Sequence, residues 1–192
     1  MIFRKYYPLP RFDYRNNTVL LANKTGHERV DSTITYRWEN KIMKALPEYF
    51  FIQYTLSGAG IVEMNGRVHK VDKGKAFLCT QDQPYLYYHD PAISDHWEFI
   101  WFGLSGLSGQ LIFKSIQRDF GSSVELSPTS KTITQMFKAL EFSEREQWKS
   151  IVQISVFANT FLLFLIEDLR KANSQFSNGR MDDVLEYVRN YY

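Results

Sequence analysis

The chain has 192 residues, room for one or two compact domains, and 44% of them are apolar, enough for a sizeable core. A net charge of +2 is too small for a strong phosphate-binding surface and argues against DNA binding by this stretch on its own. The single cysteine, Cys79, excludes an internal disulfide and suits a reducing compartment. The opening residues, MIFRKYYPLPRFDYRN, lack the apolar core of a signal peptide. The longest apolar run, Val156–Ile166, is interrupted by Asn159 and Thr160 and is too short to cross a bilayer. The expectation is a soluble cytoplasmic protein. The aromatic share of 16% exceeds what a small core needs, so some rings are expected to line a pocket or an interface.

In chain order, residues 1–30 read as an extended arm and first strands, with Pro8 and Pro10 in a Tyr-rich basic segment. From Ser32 to Gly103 the texture is β. Thr33–Trp38 and Tyr49–Leu56 are rich in β-branched and aromatic residues. Ser57–Gly60 has turn chemistry, and Ile61–Met64 reads as a returning strand. Asn65-Gly66 is a strong hairpin signal that folds Ile61–Met64 onto Arg67–Val71. After a turn at Asp72–Lys75 come three further strands, Ala76–Thr80, Tyr85–His89 and Trp97–Phe102. Short strands at close spacing predict a small antiparallel barrel or sandwich.

Beyond Gly103 the period becomes helical. One helix is expected over Ser108–Asp119, stopped by Gly121, and a second from Ser127-Pro128 with proline at its first position. A third runs from about Glu146 to Ala172, with Trp148, Ile151, Ile154, Ala158, Phe161, Leu162, Leu165 and Leu169 mostly three or four apart. It is apolar over more than one stripe, enough to cover a sheet and also meet a second subunit. Residues 173–180 have linker composition. Met181–Tyr192 starts a new amphipathic helix, with Asp182 and Asp183 in its first turn.

Several side chains are candidates for a binding site. Tyr85, Tyr87 and His89 share one strand face by the two-residue period, as do Trp97, Phe99 and Trp101. Such rings can stack on the C–H face of a sugar while hydroxyl and imidazole groups meet its hydroxyls. The same pattern fits plain barrel filling, and the residues alone leave both readings open. Gln53 is a polar residue in an apolar strand, and a buried amide needs a partner. Arg37, between Tyr36 and Trp38, either binds an acceptor group or stacks on the surface. His27, His69, His89 and His96 are scattered, with no pair at ligand spacing on one strand, so no metal or other cofactor is expected. No phosphate loop or nucleophile elbow is present, and Cys79 reads as a buried structural thiol.

Three stretches, Tyr54–Gly60, Val71–Gly74 and Trp97–Gly103, together resemble the cupin-type sensor domain of AraC-type transcription regulators, and Met181–Tyr192 resembles the first helix of that family's DNA-binding domain. The resemblance covers roughly residues 30–192. It implies an α+β fold, a jelly-roll-like antiparallel β-barrel of the cupin type followed by two or three α-helices. Residues 31–106 would form the effector-binding barrel and 107–172 a helical dimerisation region. Residues 173–180 would be a linker, and 181–192 the start of a helix-turn-helix domain in which the chain stops. It also implies a non-enzymatic role, with a small-molecule effector controlling DNA binding through a homodimer. Tyr87 resembles a sugar-contacting tyrosine of the arabinose-responsive member. That member's His-x-Trp pair aligns with Trp97 and Phe99 or with Phe99 and Trp101, without the histidine, and Ser57 stands where it has an arginine. These departures point to a different effector. Tyr6, Tyr7 and Pro8 would stand where that member's arm folds over its ligand. The expected ligand-binding set is Arg37, Gln53, Ser57, Tyr85, Tyr87, His89, Trp97, Phe99 and Trp101, with a carbohydrate preferred. The expected dimer contacts are Ile154, Phe157, Phe161 and Leu165. The alternatives are a metal-dependent cupin enzyme, or a sensor of an aromatic or fatty acid.

Overall fold

The computed structural model describes residues 2–9, 19–40 and 49–191, with 175–191 described by their backbone alone. Nine strands come before and between three helices: β1 (Phe3–Pro8), β2 (Leu21–Asp31), β3 (Arg37–Asn40), β4 (Tyr49–Met64), β5 (Arg67–Asp72), β6 (Lys75–Thr80), β7 (Tyr85–Tyr88), β8 (His96–Ser105), α1 (Leu107–Phe120), β9 (Ser123–Glu125), α2 (Lys131–Glu144) and α3 (Ile151–Tyr191). One sheet has the order β1-β2-β8-β4-β6-β9. The other joins β3 to β7, β7 to β4 and β4 to β5. All pairs are antiparallel. The sheets face each other as an open cupin-type barrel. Among the described residues β1 pairs only with β2 and β3 only with β7, so a seam runs between them, spanned by the Arg4 guanidinium 5.5 Å above the Tyr36 ring.

Strand β4 belongs to both sheets. Its first part pairs with β6 and β8, its last part with β5 and β7. The expected turn at Ser57–Gly60 is therefore a bend within one 16-residue strand. Thr55 pairs with Phe99 and Ser57 with Glu98, leaving Leu56 as a bulge residue. Gly58 then takes φ +70°. Glycine chemistry that reads as a turn serves here to bend a strand between sheets. The Asn65-Gly66 hairpin forms as expected, with φ of 52° and 70°.

Other boundaries moved for local reasons. Residues 32–36 turn instead of extending, because the Asp31 carboxylate accepts bonds from the Thr33 amide and hydroxyl. Helix α2 starts at Lys131, not at Pro128. Ser130 caps it by accepting from the Ile133 amide, and Asp168 of α3 accepts from the Thr132 amide and hydroxyl. Helix α3 starts at Ile151, after Glu146 turns into the left-handed region and Ser150 accepts from the Gln153 amide. The backbone over 173–180, expected as a linker, continues α3. No proline intervenes, and Asn, Ser and one Gly each weaken a helix by only about 1 kcal/mol or less. The side chains expected to form a new helix face beyond 180 lie outside the described ones.

Two cores use the opposite faces of the larger sheet. Ile52, Tyr54, Ile100, Phe102 and Leu104 pack outward against Phe113, Ile133, Met136, Phe161 and Leu165 of the helices. Phe51, Phe77, Trp97 and Phe99 point into the barrel with Val30, Tyr36, Val62 and Cys79. The stretch Ile151–Ser174 is long and apolar enough to cross a membrane, which the shorter run 156–166 alone is not. Its Ile154, Ala158, Phe161, Leu162, Leu165 and Leu169 side chains are instead packed in the first core.

A Cβ on Gly58 would lie 1.9 Å from the His96 carbonyl oxygen, at a φ unfavourable for other residues. Gly58→Ala is expected to lower unfolding free energy by at least about 1–3 kcal/mol in urea titration, with the slope unchanged.

Candidate functional site

The alternation of β8 sends Trp97, Phe99 and Trp101 into the barrel, and β7 sends Tyr85 and Tyr87 to meet them. These rings do not form one uniform wall. At one end Trp97 and Phe99 are fully buried with centroids 4.6 Å apart, and Trp97 donates its Nε1–H to Thr55 Oγ1 at 3.0 Å. Tyr36 and Phe77 close around them. That end is filled by its own side chains. Trp97 and Phe99, expected to touch a ligand, serve as packing, because they lie beneath rings from β6, β7 and the loop before β3.

The other end is looser. Trp101 and Tyr49, Tyr85 and Tyr87 are only partly buried. The Trp101 indole lies against Gly26, where a Cβ would come within 2.5 Å of the ring, and it donates Nε1–H to Glu28 at 2.9 Å. The Tyr49 hydroxyl occupies the corresponding space over Gly103. Tyr6 of β1 tilts against Trp101 at 5.7 Å, and Tyr85 and Tyr87 stack at 6.2 Å. Gln53 pairs with Trp101 across the ladder and is 1% exposed, and its Nε2 has no hydrogen-bond partner. An unpaired buried amide of this kind costs about 1–3 kcal/mol, which a bound acceptor would relieve. Burial pushes the phenol pKa of Tyr36, Tyr49, Tyr85 and Tyr87 upward, so these groups are neutral hydroxyls able both to donate and to accept. It raises the Cys79 thiol likewise.

Two residues at this end were not singled out from sequence. Glu28 is 6% exposed and is held by Arg4 Nε at 2.6 Å as well as by Trp101. Lys24 faces inward because a bulge at Asn23 shifts it opposite Gly103, and its ammonium lies 5.8 Å from the Tyr6 ring and 5.9 Å from Tyr49. A buried acid within alternating Lys24–Val30 was the available signal for Glu28. The bulge that turns Lys24 inward left none.

Three expected site residues lie elsewhere. Arg37 is exposed on the outer face, 5.7 Å over the Tyr88 ring, because it pairs with Tyr88 while Tyr87 takes the inner face. His89 is buried under the Asp90–Asp95 turn and donates Nε2–H to the Ser94 carbonyl at 2.8 Å, leaving Nδ1 without a partner. It sits at the filled end. Ser57 is turned outward by the bulge at Leu56 and joins a polar cluster. Its hydroxyl donates to Glu98 Oε2 at 3.0 Å, so its oxygen accepts from His96 Nε2 at 2.9 Å. His27 and Arg29 also bond Glu98, at 3.0 and 2.8 Å.

The four side chains expected at a dimer contact are also committed within the chain. Ile154, Phe161 and Leu165 are buried against the sheet and Phe157 packs beside them. The period of the helix cannot tell which apolar stripe meets the sheet. The stripe left outward is Val152, Val156, Asn159 and Leu163, spaced four, three and four, with Val152, Val156 and Leu163 60–66% exposed. Among the described residues no three His, Cys, Asp or Glu side chains are grouped to hold a metal.

The described residues thus form an open cupin-type barrel with a ring-lined end, backed by helices. The sequence matches the AraC-like ligand binding domain over residues 35–159, and the chain belongs to that family. Among solved structures, the AraC-like transcriptional activator CuxR matches with a TM-score of 0.50 and 12% identity over 79% of this chain. The match spans 52% of the length of CuxR. YhaK from Escherichia coli (TM-score 0.42, 14% identity, 55% of this chain and 46% of its own) and a cupin protein from Bacteroides fragilis (0.35, 13%, 53% and 86%) are more distant. A comparison with characterised protein sequences found no match.

Partial burial works to raise the Glu98 pKa, but bonds from His27, Ser57 and Arg29 outweigh it and hold it below the ordinary value of 4.5. A lowered carboxylate pKa stabilises the fold above that value, and the contribution is lost as pH falls through the lowered one. Glu98→Gln should therefore be less stable than the parent near neutrality. The gap should close on acidification below pH 4.5, which melting curves across pH would show.

Proposed function

We propose that this chain is the effector-sensing part of a cytoplasmic AraC-type transcription regulator, and that it acts by binding rather than by catalysis. A small molecule, preferably a carbohydrate, enters the looser end of the barrel. There it lies against Trp101, Tyr49, Tyr85 and Tyr87 and supplies the acceptor that Gln53 lacks. The observation that carries this reading is the buried, unpartnered Gln53 amide beside partly open rings, since a barrel filled for stability alone would have paired or replaced it. The three expected residues placed elsewhere, Arg37, Ser57 and His89, are not part of this site, and Trp97 and Phe99 support it from behind.

The response runs through pairs of chains. Helix α3 carries the outward stripe of Val152, Val156 and Leu163, and two copies packing through it would present two DNA-binding regions in a defined arrangement. The effector changes DNA binding only if it has different affinity for two such arrangements. Favouring the transmission is the back of β8, whose Phe102 lies 4.9 Å from Phe161 of α3, one residue after Trp101.

Two measurements test this. Trp101→Ala should lower the unliganded melting temperature, because the indole packs on the inner core and bonds Glu28, and should also abolish the thermal shift given by a bound monosaccharide. An unchanged shift removes the residue from the site. Leu163→Glu should convert a dimer to a monomer in sedimentation at micromolar concentration, with stability within about 0.5 kcal/mol because the side chain is 66% exposed. A parent chain that is already monomeric at high micromolar concentration would remove the dimer.

A further inference from the structure

We infer that the effector carries a carboxylate, held between the Lys24 ammonium and the Gln53 amide; this rests on the barrel being the effector site. The argument is a balance of donors and acceptors. Lys24 would be an unremarked surface lysine but for the extra residue Asn23 in β2. It pairs Ala22 with Leu104 on the helix side and Lys24 with Gly103 on the barrel side. The cation is thereby drawn in beside the Tyr6 and Tyr49 rings. One rung further along the same face, Gln53 presents its unpartnered Nε2 opposite Trp101. Among the described residues neither Lys24 Nζ nor Gln53 Nε2 has a hydrogen-bond or ion-pair partner, and both are donors.

Glu28, the carboxylate on this inner face, is engaged by Arg4 and Trp101, so it neutralises Arg4 and leaves Lys24 uncompensated by it. A neutral polyol can use the tyrosine hydroxyls as acceptors, but it leaves the Lys24 charge without an anion. A carboxylate needs only donors, and it gains most from a cation whose surroundings are rings in place of water. The Gly26 and Gly103 positions, occupied by the Trp101 indole and the Tyr49 hydroxyl, give a flat floor for the rest of the molecule. That floor accepts either the C–H face of a sugar acid or an aromatic acid. The shared chemistry is a small carboxylate with one flat apolar face.

The test uses the 192-residue chain and two matched pairs in titration calorimetry, galacturonate with galactose and 4-hydroxybenzoate with 4-hydroxybenzyl alcohol. In at least one pair the acid is expected to bind at least about tenfold tighter, weakening with added salt. Lys24→Gln should bring the two members of that pair within about twofold, and Gln53→Met should weaken the acid by about fivefold or more. Lys24 is half-buried at the rim, so its variant keeps the test alive even if Gln53→Met does not fold. The pair that responds separates a sugar acid from an aromatic acid. Equal binding of acid and neutral partner, abolished by Trp101→Ala, overturns the carboxylate and leaves the barrel site standing. An acid preference that survives Lys24→Gln also overturns it. No binding by any of the four probes overturns the carboxylate together with the barrel site.

Discussion

Strand β4 has to serve two sheets, and the way it turns between them fixes what the barrel contains. Its first part lies in the six-stranded path between β8 and β6, and its last part pairs with β5 and β7. A uniform two-residue alternation along all 16 residues would send Thr55 and Ser57 to the same face. The extra Leu56 breaks the alternation. Thr55 stays inside to accept from Trp97, while Ser57 emerges among His96, Glu98 and Arg29. Gly58 and Gly60 then leave room inside for the Trp97 indole and the His96 backbone. The filled end of the barrel, the polar cluster outside it and the position of β8 all follow from that inserted residue.

The larger sheet is a partition between two apolar compartments with different character. On the helix side the packing is continuous, from Ile52 and Phe102 to Phe161 and Leu165. On the barrel side it is dense around Trp97 and Phe99 and gives way toward Trp101 and Tyr49. Strand β8 contributes alternate residues to both, so a shift at Trp101 displaces Ile100 and Phe102 as well. Interiors packed at crystal-like density transmit such a shift instead of absorbing it. Glu28 helps keep the looser end from collapsing: its bond to Trp101 Nε1 pins the indole flat against Gly26.

Much of this was legible in the chain, and the limits have identifiable causes. The hairpin at Asn65-Gly66, the inward set on β7 and β8 and the helix-rich second half follow from period and turn chemistry. The family resemblance rested on stretches that fall mostly within the matched residues 35–159. What escaped was every consequence of a bulge. Ser57 was placed in the ligand-binding set by resemblance and Lys24 was not singled out, because one inserted residue reverses inside and outside without altering composition. Arg37 and His89 escaped for another reason: a face shared by period does not fix depth along the barrel or which edge is open. The apolar stripes of α3 were visible, but Phe161 and Leu165 were taken for the outward one. Only the partner sheet decides that choice.

The seam between β1 and β3 has a mechanical consequence. Where strands are paired, they can part only by breaking a ladder of backbone bonds. Along this line Arg4 rests on Tyr36 and, among the described residues, no ladder joins the two edges. An exposed cation–ring contact holds by about 0.5–1 kcal/mol, and the Tyr36 phenol also meets the Glu28 carboxylate of β2. Parting the wall here would cost only the side-chain ties of Arg4 and Glu28 to Tyr36, with every strand ladder left in place.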